Sequence, residues 1–321
     1  MTEPIALITR KNLPAPEHLE ALAAAGLQPV VGSMADQDLP EDRVVVLMPG
    51  LERIDRAALE RFPNLGLVAL PATGWDSVDL KAAEDLGIAV TNVPSQATEE
   101  VATHALALIL ALLRNIPMHD CNMRAGQWQS PAGIVTPTRT STMTLGVVGV
   151  GKIGGELARI ATPLFAQVIG YDPYLAPTQG HESDVELVDS IDTLARRCDV
   201  MSLHVPLTPE TAALLADIDF ADSPVRYLIN VSRGGLIAHD VLLELLEGGA
   251  LDGVGLDAFD PEPPHQDDAL LLHPRVISSP HRAFESVQAW DAYGHYPVQN
   301  AIAHINGAAL VSPVPVQKGR S

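Results

Sequence analysis

The chain has 321 residues, of which 47% are hydrophobic, and 40 acidic against 20 basic side chains give it a net charge of −20. This length allows two domains with a sizeable core. The negative charge argues against nucleic acid as a partner, because phosphates would be repelled. No run of about 18 apolar residues occurs, so we expect neither a membrane-spanning helix nor a membrane partner.

The two cysteines, Cys121 and Cys198, lie far apart, and the N-terminus lacks the pattern of a signal peptide. We therefore expect a reduced, cytoplasmic protein. Only four of the basic residues are lysines. An acidic, lysine-poor surface is typical of proteins from cells with a salt-rich cytoplasm. Ordinary acidity combined with a codon bias towards arginine explains the composition equally well.

The first part of the chain alternates short apolar segments with helical patterns, which predicts a parallel sheet covered by helices. The predicted strands are 5–9, 29–31, 44–47, 65–70 and 88–91. The predicted helices are 17–25, 56–61 and 79–86. The first ninety-odd residues are therefore predicted to form a complete small α/β domain.

A long, mostly apolar helix is predicted at 99–114, and its apolar character nearly all round indicates burial on several sides, as expected of an element between two domains. After a polar loop at 126–142, further strands are predicted at 144–149, 167–171, 200–203, 227–230, 253–257 and 276–278. The segment 286–305 reads as a helix that returns to the first domain. We therefore predict one domain from 1–98 and 288–321, with a second domain, 99–287, inserted into it.

The inserted domain opens on a glycine-rich loop with the spacing G-x-G-x-x-G, which follows an apolar strand and precedes a helical pattern. Its predicted cofactor-binding residues are Gly149, Gly151, Lys152, Ile153 and Gly154. The first glycine permits a tight turn, the second admits a pyrophosphate and the third lets helix pack on strand. Asp172 ends the next predicted strand, where a carboxylate binds ribose hydroxyls and repels a 2′-phosphate. This favours NAD over NADP as the cofactor.

Three later segments, 229–235 (INVSRGG), 255–263 (GLDAFDPEP) and 278–281 (SSPH), complete the pattern. Together with the central dinucleotide loop they resemble the D-isomer-specific 2-hydroxyacid dehydrogenase family. Supporting matches are 72–79 (ATGWDSVD), 204–211 (HVPLTPET) and 125–128 (AGQW). The segments 94–104 (PSQATEEVATH) and 171–175 (YDPYL) are most similar to the branch around the C-terminal binding proteins.

The resemblance implies an α/β fold of two doubly wound parallel-sheet domains, with a Rossmann NAD-binding domain inserted into a flavodoxin-like substrate-binding domain. It implies a homodimer joined through the NAD-binding domain, for which the arm 116–142 is a candidate. It also implies catalytic roles for Arg233, Glu262 and His281. The further implied cofactor contacts are His204, Pro206, Thr211, Val231 and Asp257, and the implied substrate-binding residues are Thr73, Gly74, Trp75 and Arg233.

These residue types suit the reduction of a 2-keto acid, in which hydride attacks a carbonyl carbon while its oxygen gains a proton. Imidazole is the side chain that exchanges protons near neutrality. A neighbouring carboxylate favours the cationic ring and holds it in place, and a guanidinium binds a carboxylate through paired donors. No histidine cluster has the spacing of a metal site, so we expect no catalytic metal.

The chain departs from the family pattern at Thr103, where a glutamate is usual, and at Arg282 and Phe284, which follow the histidine. Arg282 either attracts a second anionic group of the substrate or points to solvent. The main alternative function is an NAD(H)-sensing binding protein similar to a corepressor. Oxidation of formate is disfavoured by Glu262, where formate enzymes carry glutamine, and oxidation of phosphite by Thr73, where phosphite enzymes carry lysine.

Overall fold

The computed structural model of the chain describes residues 3–9, 15–50, 52–128, 135–175, 185–216 and 218–315. The chain divides into two compact units: unit 1 comprises Met1–Gln96 with Ser286–Ser321, and unit 2 comprises Ala97–Glu285. The two crossings lie two residues before the boundaries predicted at 98/99 and 287/288. Unit 2 is thus one continuous segment, whereas unit 1 is built from two separate segments.

The N-terminal part of unit 1 alternates strands and helices: β1 (Ile5–Ile8), α1 (Pro16–Ala24), β2 (Gln28–Val31), β3 (Val44–Met48), α2 (Arg56–Glu60), β4 (Leu67–Ala69), α3 (Leu80–Asp85) and β5 (Ala89–Thr91). All strand pairs are parallel, and the order β2-β1-β3-β4-β5 is the flavodoxin-like order. Each element overlaps a segment predicted from the apolar pattern, so these predictions are confirmed.

Short polar side chains fix where two helices of unit 1, α2 and α3, begin. The carboxylate of Asp55 accepts a hydrogen bond from the N–H of Ala58 at the start of α2. Asp79 caps α3 in the same way by accepting from the N–H of Ala82. The Asp79 cap also fixes the chain directly after the predicted substrate loop.

In the part of unit 2 that the structure describes, two helices are followed by strands that alternate with helices: α4 (Thr98–Leu113), α5 (Ile116–Arg124), β6 (Thr144–Val148), α6 (Lys152–Ala161), β7 (Gln167–Tyr171), β8 (Glu186–Leu187), α7 (Ile191–Ala195), β9 (Val200–Leu203), β10 (Tyr227–Asn230), α8 (His239–Glu247), β11 (Gly253–Leu256) and β12 (Val276–Ser278). Their order is β12-β11-β10-β9-β6-β7-β8, with every pair parallel. Six of these strands reproduce the Rossmann order, and β12 extends it. The strand order reverses between β6 and β9, which is where such sheets bind nucleotides.

Helix α4 belongs to unit 2 and packs on α6, β10 and β11. Its residues Ala102, Ala105 and Ile109 are fully buried in one apolar cluster with strand residues such as Ile229. Among the described residues, no single helix is long and apolar enough to cross a membrane; α4 and α5 reach that length and composition only as a pair bent by 63°.

The chain returns to unit 1 with α9 (Val287–Ile305), which overlaps the predicted return helix. The Ser286 hydroxyl caps it by accepting from the N–H of Ala289. Helix α9 packs on α1 and β4, and its Val298 and Ala301 share an apolar cluster with Leu22 and Leu67. The C-terminal segment therefore completes the core of the first sheet.

Candidate active site

The three predicted catalytic residues follow three neighbouring strands of the unit 2 sheet. Arg233 lies three residues after β10, Glu262 lies in the loop after β11, and His281 lies three residues after β12. These strands are adjacent and parallel, so their carboxyl ends meet at one edge of the sheet. Open α/β sheets bind their ligands at this edge.

His281 and Glu262 form a hydrogen-bonded pair. Nδ1 of His281 lies 2.7 Å from Oε2 of Glu262, and Oε1 of the same carboxylate accepts from the N–H of Phe259 at 2.9 Å. Burial alone would raise the pKa of Glu262, but the hydrogen bonds from His281 and Phe259, together with the charges of His281 and Arg233, lower that pKa below its usual value. The charged carboxylate thus holds the Nδ1 side of the ring, and among the described residues Nε2 has no partner.

A tight turn holds Arg233 beside the segment that carries Glu262. Asn230, the buried last residue of β10, donates from Nδ2 to the Arg233 carbonyl at 2.7 Å and accepts from the N–H of Ser232 at 3.0 Å. Gly234 then packs against the backbone of residues 259–260 so closely that a Cβ would have no room. This close approach explains why the charge of Arg233 acts on the pKa of the Glu262 carboxyl.

Asp257, a predicted cofactor contact, is buried at the end of β11 with 1% of its surface exposed. Its carboxylate accepts three hydrogen bonds, from the Ser279 hydroxyl and from the N–H groups of Arg282 and Ala283. Since a carboxylate has about four lone-pair sites, little acceptor capacity is left for a nicotinamide amide. The sequence did not predict that Asp257 anchors the turn around His281.

The dinucleotide loop joins β6 to α6. Gly149 has a φ of +86°, in the left-handed region that favours glycine. The Cβ position of Gly154 points at the carbonyl oxygen of Gly149, whereas the Cβ position of Gly151 is open and that residue is exposed. Lys152 and Ile153 form the first turn of α6, which no side chain caps. An open turn at a helix N-terminus fits a pyrophosphate, so these residues fit the dinucleotide.

The carboxylate of Asp172, directly after β7, is held over the same loop. Its Oδ2 accepts from the N–H of Val150 and its Oδ1 from the N–H of Tyr174, each at 3.0 Å. Each oxygen retains lone-pair capacity for a ligand hydroxyl. The carboxylate is therefore fixed in place and still able to accept hydrogen bonds from a ribose.

His204 lies beside the dinucleotide loop, since its N–H donates to the carbonyl of Val148 at 2.7 Å. Its Nε2 lies 2.8 Å from the Ser202 hydroxyl, and burial lowers the pKa of His204 to about 3, so the ring is neutral. Nδ1 is buried and has no hydrogen-bond partner among the described residues. His204 thus keeps one buried polar atom unpaired beside the dinucleotide loop.

The remaining predicted cofactor contacts follow β9 and β10. The Thr211 hydroxyl donates to the carbonyl of Pro206 at 2.6 Å and accepts from the N–H of Thr208 at 2.8 Å. Its proton is used within the loop 206–211, so the hydroxyl shapes that loop. Val231 is buried next to β10, in the same apolar cluster as Val150 of the dinucleotide loop.

Thr73, Gly74 and Trp75, predicted to bind substrate, lie in unit 1 in the loop after β4. The side chain of Asn92 donates to the Thr73 carbonyl at 2.7 Å, and the Thr73 hydroxyl lies 3.3 Å from the Tyr293 hydroxyl. In the part of the chain that the structure describes, the backbone N–H groups of residues 73–75 have no hydrogen-bond acceptor. A fixed loop with unpaired N–H groups is able to bind a carboxylate.

The departures from the family pattern have identifiable surroundings. The guanidinium of Arg282 lies 3.4 Å from the Glu285 carboxylate. The Thr103 hydroxyl donates to the carbonyls of Glu99 and Glu100 within α4, and Phe284 is half-buried. Among the described residues, no group of three or more histidine, cysteine or acidic side chains is arranged to hold a metal ion.

Three residues of this region were missed by the sequence reasoning: Asn230, Ser279 and His104. Asn230 carried a signal, because a polar residue at the end of the otherwise apolar segment 227–230 needs a buried partner. Ser279 and His104 carried none, because their partners come from segments far away in the sequence.

Comparison with known proteins supports the resemblance. Residues 106–283 match the family model described as D-isomer specific 2-hydroxyacid dehydrogenase, NAD binding domain. The chain is 33% identical over 282 residues to the D-3-phosphoglycerate dehydrogenase of Methanocaldococcus jannaschii, which covers 86% of this chain and 53% of that protein. It is 32% identical over 285 residues to the glyoxylate reductase of Thermococcus litoralis, covering 87% and 85% of the two chains.

Among solved structures, an NADPH-dependent glyoxylate/hydroxypyruvate reductase from Sinorhizobium meliloti, in complex with NADP and malonate, is similar with a TM-score of 0.85 and 29% identity, covering 98% of this chain and 97% of that chain. The chain spans about half the length of the curated phosphoglycerate dehydrogenases that it matches. The family model covers more than half of this chain, and its unit 2 is the family's NAD-binding domain. The chain belongs to the D-isomer-specific 2-hydroxyacid dehydrogenase family.

Proposed function

We propose that this protein is an NAD-dependent D-2-hydroxyacid dehydrogenase that acts mainly as a reductase of small 2-keto acids such as glyoxylate, hydroxypyruvate or pyruvate. One observation carries the proposal: the imidazole of His281 is held by the charged Glu262 at the sheet edge that also carries Arg233. Because the sheet is parallel, the dinucleotide loop after β6 ends at this same edge.

His281 is the proposed acid–base residue. Glu262 holds its Nδ1, so Nε2 is the atom that would give a proton to the keto oxygen and take it back in the reverse direction. The guanidinium of Arg233 would bind the substrate carboxylate and polarise the carbonyl.

The dinucleotide would be held by Gly149, Gly151, Lys152, Ile153 and Gly154. Asp172, His204, Pro206 and Val231 are the other proposed contacts, whereas Thr211 and Asp257 are committed to hydrogen bonds that shape the loop 206–211 and the turn around His281. When bound, NADH supplies the hydride. We favour NAD because the fixed carboxylate of Asp172 would repel a 2′-phosphate, although the similar Sinorhizobium meliloti reductase is NADPH-dependent.

The loop Thr73, Gly74 and Trp75 is the proposed binding element for the substrate carboxylate in unit 1. The support is its set of backbone N–H groups without an acceptor among the described residues, together with the two side chains that fix the loop. A carboxylate that accepts from several N–H groups is bound without any lysine.

We also propose a cytoplasmic homodimer joined through unit 2, with no nucleic-acid or membrane partner. The net charge of −20 supports the absence of nucleic acid. On the proposed arm 116–142, Ile116, Met123 and Trp128 are 56%, 53% and 86% exposed, which suits an interface. Residues 129–134 of the arm lie outside the described residues. Light scattering of the purified protein tests the dimer.

The function is tested by following NADH oxidation by the purified protein with glyoxylate, hydroxypyruvate, pyruvate and oxaloacetate. We expect turnover with at least one acid and a loss of about a hundredfold or more in His281→Ala. The exposed His265 provides a control, so His265→Ala should behave as wild type. NADH binding without turnover of any acid would contradict the proposal and favour the NAD(H)-sensing alternative.

A further inference from the structure

Asp257 builds the turn on which His281 stands. Its Oδ1 accepts from the Ser279 hydroxyl at 2.5 Å and from the N–H of Arg282 at 2.8 Å, and its Oδ2 accepts from the N–H of Ala283 at 2.8 Å. Its backbone carbonyl accepts from the N–H of His281 at 2.9 Å. One buried residue thus bonds the chain before, at and after His281.

The backbone of His281 needs such support. Its φ is +53°, a left-handed conformation that residues with a Cβ adopt rarely and hold only where their surroundings enforce it. Glu262 orients the His281 ring, whereas Asp257 fixes the backbone from which the ring projects. The position of Nε2 therefore depends on both carboxylates.

The hydroxyl of Ser279 extends this arrangement to helix α4. Since the Asp257 carboxylate accepts, the single Ser279 proton is donated to it, and the serine oxygen must then accept from its other neighbour. That neighbour is Nε2 of His104, which lies 2.8 Å from the Ser279 oxygen. Nε2 of His104 therefore carries the hydrogen, and the bonds run from His104 to Ser279 to Asp257.

The His104 ring, at the start of this series of hydrogen bonds, projects from a well-packed helix. His104 lies on α4, which packs on β10, β11 and α6. The His104 side chain is 28% exposed, whereas the Asp257 side chain is 1% exposed. The hydrogen-bond chain thus ties the turn 279–283 to the helix that covers one face of the sheet.

We propose that His104 is a positioning residue for His281, acting through Ser279 and Asp257; this inference rests on the proposed acid–base role of His281. His104 does not touch the reacting atoms. It directs the Ser279 proton towards Asp257. The turn 279–283 is thereby kept in the arrangement that holds Nε2 of His281 in position for the substrate.

Steady-state kinetics of four variants tests the proposal. His104→Leu and Ser279→Ala should lower kcat about tenfold to a hundredfold, with KM and the Kd for NADH little changed. His104→Gln, whose amide N–H reaches nearly as far as Nε2, should recover most of the loss. Thr103→Ala is the control on the same helix, because its hydroxyl bonds only to carbonyls of α4.

The double variant His104→Leu/Ser279→Ala should be no slower than the worse single variant, because both changes break one line of bonds. Additive losses would overturn the proposal, and so would equal kcat values for the Gln and Leu variants. A fall in Tm with an unchanged kcat would mean that the chain of bonds only stabilises the fold.

Nuclear magnetic resonance on protein with isotope-labelled histidine supplies a readout that needs no turnover. The Nε2–H proton of His104 should exchange slowly in the wild type and rapidly in Ser279→Ala. The His281 ring signals should shift in His104→Leu but not in Thr103→Ala. If the wild type turns over a 2-keto acid but the His281 signals are unchanged in His104→Leu, the positioning role alone is wrong. If the wild type shows no turnover but the signals change as expected, the proposed function alone is wrong.

Discussion

The Cβ position of Gly154 points directly at the carbonyl oxygen of Gly149. The first turn of α6 can therefore pack against the loop before it only because residue 154 has no side chain. Three residues earlier the situation is reversed, since the Cβ position of Gly151 meets nothing within contact distance. Glycines of one motif thus serve two needs, internal packing at one position and access for a ligand at another.

Alanine substitutions at these two glycines should therefore separate stability from binding. Gly154→Ala should lower the free energy of unfolding by about 1–3 kcal/mol, because the added methyl group overpacks the turn. Gly151→Ala should leave unfolding nearly unchanged but weaken NADH binding about tenfold or more, because the methyl group occupies the approach of the pyrophosphate. Urea unfolding and NADH fluorescence titration measure the two effects. Equal stability of the two variants would contradict this assignment.

Asp172→Asn should reduce the preference for NADH over NADPH. The amide oxygen can still accept from the N–H of Val150, so the loop is kept while the negative charge that repels a 2′-phosphate is removed. We expect the ratio of kcat/KM for NADH to that for NADPH to fall about tenfold. Asp192→Asn makes the same charge change in an exposed ion pair on α7 and serves as the control. A ratio unchanged by Asp172→Asn would remove Asp172 from cofactor selection.

The Glu262 carboxyl should make stability depend on pH. Its pKa in the folded protein lies below the usual 4.5, so the ionised group stabilises the fold above that pH, and the contribution disappears as the pH falls through the lowered pKa. The difference in Tm between wild type and Glu262→Gln should therefore be largest near neutrality and shrink as the pH falls below 4.5 towards the lowered pKa. Glu285→Gln, which alters an exposed carboxylate, should show no such trend. A Tm difference that grows as the pH falls would show that folding does not lower the pKa of Glu262.

The two cysteines should differ sharply in reactivity. Cys121 is exposed, whereas Cys198 is buried, and burial raises the pKa of the Cys198 thiol to about 12. Because the thiolate is the reactive form, only Cys121 should react with an aromatic disulfide reagent at mildly alkaline pH in the native protein. Both thiols should react in denaturant. Native protein carrying Cys121→Ser should show no rapid reaction with the reagent. Rapid reaction of both thiols in native protein would show that the Cys198 region opens.

The sequence was most informative where one local requirement decides the structure. Strands that lie mostly in the core appear as short, largely apolar segments, so those at 167–171, 200–203 and 227–230 were predicted with the bounds that the structure shows. The strand β8 was not predicted, because two residues carry no period. Helix α5 was not predicted, because polar and apolar residues are mixed along it and none of its residues is buried.

The residues of the candidate site likewise fall into those that the sequence predicted and those that it did not. Arg233, Glu262 and His281 stand in short motifs at strand ends, so their identity and order were readable from the sequence. The role of Asp257 as an anchor was not, because it depends on a serine and two backbone groups more than twenty residues further along the chain. Side-chain partners brought together only by folding leave no periodic trace in the sequence.

The interrupted unit 1 has a consequence for synthesis on the ribosome. Helix α9 supplies Val298 and Ala301 to the apolar cluster that also contains Leu22 and Leu67, so that face stays uncovered until α9 has emerged. Unit 2, being continuous, has its entire sequence available earlier. We therefore expect a stage of synthesis at which the sequence of unit 2 is complete while unit 1 still exposes apolar surface, and this is the stage at which chaperones have most to bind.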